Sequence, residues 1–84
     1  MKTKDVNESL IGLRVEGVFA GLKVTGVIID IVEYRNEEGR VCSKGVMIEL
    51  DSPVNWGGDL YDTYESSARV EDDWGNLEHT ELID

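Results

Sequence analysis

Cys42 and His79 are the only soft nucleophile and the only neutral-pH base in the 84-residue chain, so a thiol–imidazole dyad would have to pair them. Such a dyad needs the fold to join a hairpin arm to the tail, and Cys42 reads instead as a partly buried strand residue. One cysteine cannot form an internal disulfide, and one histidine cannot complete a zinc site with it. Two acidic clusters offer oxygen ligands: Asp59-x-x-Asp62-x-x-Glu65, and Glu71-Asp72-Asp73 with Asn76 and Glu78. Neither has the alternating Asp spacing and closing Glu of a calcium loop, and both read as solvated. No Walker loop, dinucleotide-binding glycine set or His-Glu-x-x-His is present. The expectation is a protein that is not an enzyme and carries no metal or cofactor.

Charge is more informative than any motif. The formal net charge is −10, and its distribution is uneven. Residues 1 to 48 balance, with Asp5, Glu8, Glu16, Asp30, Glu33, Glu37 and Glu38 offset by Lys2, Lys4, Arg14, Lys23, Arg35, Arg40 and Lys44. Beyond them Arg69 faces Glu49, Asp51, Asp59, Asp62, Glu65, Glu71, Asp72, Asp73, Glu78, Glu81 and Asp84. A one-signed field of that density repels nucleic acid and anionic lipid and steers basic proteins toward itself. The plainer reading is that the acids keep a small protein soluble.

Trp56, Tyr61, Tyr64 and Trp74 all lie in this acidic half. Rings beside carboxylates make a protein-binding surface in which rings supply buried area and acids supply orientation. The candidate partner-binding set is therefore Trp56, Asp59, Asp62, Tyr64, Asp72, Asp73 and Trp74. Against it stands the reading in which Trp56 or Tyr61 merely plugs one end of the fold, while Trp74, in a polar loop, is the best candidate for an exposed ring. A competing ligand site draws on Arg14, Lys23, Arg40, Lys44 and Arg69 for phosphates and on Phe19, Tyr34 or Trp56 for stacking.

The elements that must position these residues read as strands. Leu13, Val15, Gly17 and Phe19 alternate with Arg14 and Glu16 in a first strand. Leu22 to Arg35 is β-branched, contains Gly26 and forms a long second strand. Its alternation changes phase, with Val24 and Ile28 on one face and Val27, Ile29 and Ile31 on the other. A bend between Gly26 and Asp30 or burial against another subunit accounts for this, and the bend is preferred. Asn36 to Arg40 is a hairpin tip. Lys44 to Leu50 is a third strand that buries Val46, Ile48 and Leu50 and is ended by Asp51-Ser52-Pro53. Val54 to Trp56 is a short extended piece, Gly57-Gly58-Asp59 a turn, and Leu60 to Val70 a weaker strand. Leu77 to Ile83 is a last strand or helical turn. Residues 1–10 are a flexible or short helical lead-in to one domain, 11–84.

Short glycine-punctuated strands without an amphipathic helix predict an all-β, five- or six-stranded small barrel with polar hairpin loops. Ile11-Gly12-Leu13-Arg14-Val15-Glu16-Gly17-Val18-Phe19, Val24-Thr25-Gly26-Val27-Ile28 and Val46-Met47-Ile48-Glu49-Leu50-Asp51-Ser52-Pro53-Val54 resemble the opening hairpin and central strand of Src-homology-3-like barrels. They are also similar to small barrel proteins of bacteria, phages and other mobile elements. That setting implies an inhibitor whose carboxylates replace phosphates in a host defence or nucleic-acid-processing protein. The alternative is an oligomeric barrel that sequesters a nucleotide signal, in which self-association covers the apolar excess of the second strand. No apolar run approaches the roughly 20 residues that cross a bilayer, and Met1 to Glu8 has no apolar signal core, so a cytoplasmic location is expected.

Overall fold

Alternation over Arg14–Phe19 and β-branching over Leu22–Arg35 produce two antiparallel strands, β1 and β2. Ala20 and Gly21 turn the chain between them with φ of 52° and 79°. In the computed structural model, which describes residues 1–70 and 75–83, they are followed by β3 (Val41–Trp56), β4 (Asp59–Arg69) and β5 (Glu81–Leu82). The five strands form one antiparallel sheet in the order β4-β3-β2-β1-β5. Among the described residues no helix is long and apolar enough to cross a membrane.

The phase change in β2 has a visible cause. Ile28 pairs with Ile48 and Asp30 with Met47, so Ile29 is an extra residue bulged from the ladder. One inserted residue reverses the facing of everything beyond it. Val24 and Ile28 face the core before the bulge, and Ile31 packs against it afterwards. Gly26 has a different task. A Cβ there would lie 2.2 Å from the Glu49 carbonyl oxygen, so the missing side chain is what lets β3 approach.

β3 departs from expectation by continuing through Pro53 to Trp56. Its pairing with β4 breaks after Glu49–Thr63 and resumes at Val54–Tyr61. Pro53 falls inside that break, where the ladder with β4 asks no N–H of it. Asp51, in the same excursion, accepts two bonds from the Arg14 guanidinium (3.1 and 2.6 Å) and one from the Thr25 hydroxyl (2.6 Å).

The sheet is not closed into a barrel. β4 pairs with β3 and β5 with β1, and no ladder joins β4 to β5 among the described residues. The reason is length: β5 has two residues, opposite Val15 and Glu16. Curling nevertheless brings Phe19 of β1 onto Tyr61 and Tyr64 of β4. Inside lie Val6, Leu10, Val15, Ile28, Val46, Ile48, Leu50, Val54, Tyr64 and Leu77.

The first ten residues contribute to that core. They form two 3-10 turns, Thr3–Asp5 and Glu8–Leu10, the second capped by the Asn7 side chain, which accepts from the Ser9 amide. The Thr3 amide donates to the Gly75 carbonyl (3.0 Å) and the Leu77 amide to the Met1 carbonyl (2.8 Å).

Gly26→Ala and Gly45→Ala, the latter placing a Cβ 2.2 Å from the Ser66 carbonyl oxygen, are each expected to cost about 2 kcal/mol or more because backbone must move. Thermal or denaturant unfolding measures this, and an unchanged midpoint would contradict the close approach.

Candidate functional site

At one end of the sheet four rings stand in a row. Tyr64 packs on Phe19 with centroids 5.2 Å apart, Phe19 meets Tyr61 edge-on at 5.3 Å, and Tyr61 lies 6.3 Å from Trp56. These separations suit aromatic pairs. The row begins in the core and ends outside it: Tyr64 is 9% exposed and Trp56 58%. Sequence dictates the position of Trp56, because Gly57 and Gly58, both at positive φ (63° and 86°), form the two-residue turn that sets Trp56 directly opposite Asp59. Leu60, the next residue on β4, is 66% exposed.

Tyr64 enters the core over a glycine. A Cβ on Gly17 would sit 2.1 Å from the Tyr64 hydroxyl oxygen and 3.4 Å from Cζ. Among the described residues that buried hydroxyl has no hydrogen-bond partner, and burial pushes the phenol above its ordinary pKa. Tyr64 is thus a core residue that anchors the row, and not part of an exposed binding surface as its sequence position implied.

The acids flank the row. Asp59 and Asp62 are exposed on β4, as is Glu65, whose carboxylate accepts from the hydroxyls of Tyr34 and Ser67. The bond to Glu65 raises the Tyr34 pKa above its ordinary value. Among the described residues no three His, Cys, Asp or Glu side chains converge as a metal site requires. Asp72, Asp73 and Trp74 lie outside the described residues.

The basic residues proposed for a phosphate ligand are not gathered into one place. Arg14 is committed to Asp51 on the outer face. Lys23 lines a shallow pocket of about 330 Å³ beside Glu16, His79 and Glu81. Arg40 closes the β2–β3 hairpin, where its amide donates to the Asn36 side chain (3.1 Å). Lys44 reaches the Val6 carbonyl (3.5 Å) and Glu33 (3.8 Å), and Arg69 stands opposite Ser43 near the end of β4. Cys42, expected to be partly buried, is exposed, and its thiol lies 3.3 Å from the Tyr34 carbonyl oxygen.

Residues 1–82 match the family described as a domain of unknown function (DUF7258). The chain belongs to that family. No curated protein and no solved structure matches it.

Two contributors escaped the sequence reading. Phe19, by its alternation a strand residue and a candidate stacking ring, joins Tyr61 to Tyr64; its place at the end of an alternating strand, next to a turn, is the available signal. Asp51, by its place before Pro53 an expected end of β3, instead fastens β3 to β1 and β2. The paired guanidinium and then the Thr25 hydroxyl hold the Asp51 carboxyl well below the usual range, at about 2.

Two measurements test this geometry. Tyr64→Phe removes a buried hydroxyl that has no partner among the described residues and is expected to raise stability by about 1 kcal/mol; Gly17→Ala is expected to be markedly less damaging in that background than alone, as a double-mutant cycle of unfolding free energies reads directly. For Asp51, a folded pKa below the unfolded one gives stability that is complete above about pH 4 and lost as pH falls toward about 2. Asp51→Asn is expected to flatten the fall of Tm across that window, and parallel Tm profiles would remove the clamp.

Proposed function

We propose that this protein is a non-enzymatic acidic interaction module that binds a basic partner protein through the sheet end bearing Trp56, Asp59 and Asp62. The observation that carries the reading is the exposed Trp56. Its ring continues a row rooted in the core, so it is held in place before binding, and docking over it loses less side-chain freedom than ordering a loose side chain would. Aromatic anchors ringed by charge are the pattern of interface hot spots. Leu60 adds apolar area, while Asp59 and Asp62 supply carboxylates for Lys or Arg.

The same reading takes the curled, open sheet as a half-open version of the Src-homology-3-like barrel. The resemblance to small phage and mobile-element barrel proteins supports an inhibitory role in the cytoplasm, in which carboxylates take the place of phosphates in a host defence or nucleic-acid-processing protein. Charge supports a protein target over nucleic acid, which the net charge of −10 repels.

Capture from host lysate with three variants tests this. Trp56→Ala and the pair Asp59→Lys/Asp62→Lys are expected to lose, by tenfold or more, a basic protein that the unmutated chain retains at low salt. Glu37→Lys/Glu38→Lys, which changes net charge equally at the far hairpin tip, is expected to keep it. Equal loss in both double variants would reduce the effect to bulk charge and overturn the assignment of the site.

A further inference from the structure

β4 is an outer strand, paired with β3 alone among the described residues. In an antiparallel ladder, successive residues aim their backbone groups to opposite sides. The Val70 amide donates to the Cys42 carbonyl (2.9 Å), so on the part of β4 beyond the register break, residues 63 to 69, even-numbered residues face β3 and odd-numbered ones face outward. Arg69 obeys the rule, since its carbonyl oxygen lies against Gly75, 2.5 Å from where a Cβ would be. The N–H and C=O groups of Glu65 and Ser67 accordingly point away from the sheet.

β1 offers a matching edge across the gap. The Ile83 amide donates to the Arg14 carbonyl (3.0 Å), which places the backbone groups of Val18 on the same side as β5 but beyond its end, because β5 reaches only Val15 and Glu16. Between the two edges runs a groove of about 460 Å³, lined by Val18, Phe19, Glu65, Ser67, Asn76 and Glu78 among others. It is the unclosed seam of the curled sheet. Unpaired edges are templates for another strand.

We propose that this seam receives an extended basic segment of the partner as an added strand on β4. Its backbone bonds to the N–H and C=O groups of Glu65 and Ser67, and its Lys or Arg side chains meet Glu65 and Glu78. Resting on the acidic-interaction reading above, it specifies the conformation in which the partner is bound. Charge selects the occupant. A second copy would bring another net −10 to an edge that already carries Asp59, Asp62 and Glu65, and like charges across a strand pair are destabilising. A basic segment neutralises them. Side chains of an added strand alternate, so cationic residues would be spaced by two, about 6.6 Å apart.

The test leaves the protein unmutated and alters the ligand. A labelled hexapeptide, Lys-Val-Lys-Val-Lys-Val, is titrated against the full chain by anisotropy at low salt, beside two analogues N-methylated at alternate residues in each register. The expected result is binding in which one methylated register loses at least tenfold in affinity, with the Glu65 and Ser67 amides gaining protection from hydrogen exchange. Equal affinity for all three, falling with salt, would overturn strand addition and leave the acidic-interaction reading standing. Binding of none of the three, with Trp56-dependent capture of a partner intact, would likewise overturn the seam alone; absence of both would overturn the two together. Protection at Glu65 and Ser67 that grows with protein concentration without peptide would assign the edge to a second copy and overturn the proposal.

Discussion

Two interruptions of strand register hold the rest of this structure in place. A chain of this length cannot cover both faces of a flat sheet, because a small domain buries only about 60 per cent of the surface its unfolded chain exposes. It has to curl the sheet around a single core. The extra residue at Ile29 turns the second half of β2 so that Ile31 follows Ile28 inward. The break between Glu49 and Val54 carries β3 past Pro53 and around to Tyr61. Neither interruption is loose: the first is pinned by ladder pairs on both sides, and the second by the Arg14–Asp51–Thr25 cluster on the outer face.

The chemistry of the outer surface follows from that curl. The antiparallel order sets the Gly57–Gly58 turn at the same end of the sheet as the β1–β2 hairpin, and the curl brings β4 close to β1 there, which is how Phe19 can link Tyr61 to Tyr64. The ring row therefore depends on the same constraint as the core. An exposed tryptophan on a mobile loop and one at the end of a packed row are different objects, since only the second offers a rigid surface. The acids of β4 are set beside it on a strand and not on a tether.

Much of the strand layout was legible in the residues. Alternation placed β1, β-branching placed β2, and the change of phase at Val27 to Ile31 announced a bend because no flat strand hides both faces. Val46, Ile48 and Leu50 were legible as core. The extent of β3 was not, because proline reads as a stop, and whether its missing N–H matters depends on a pairing break decided by tertiary structure. The open seam was equally hidden: strand patterns show which face is wet and not whether the last strand is long enough to reach the first. At the candidate site, Trp56 and its neighbouring acids were visible from composition. The burial of Tyr64 was not, since it depends on a glycine 47 positions away in the chain.

The stitching of the first residues to the tail sets an order of assembly. β1 to β4 are joined by successive hairpins and pair with near neighbours in sequence, so they form early and cheaply in loop entropy. The bonds from Thr3 to Gly75 and from Leu77 to Met1 span almost the whole chain and close last. On the ribosome, the sheet can be largely built while Val6 and Leu10 still lack the floor that Leu77 provides. Completion of the core is thereby deferred until Leu77 has cleared the exit tunnel, and a nascent chain stalled short of that residue would display Val6 and Leu10 to chaperones and proteases.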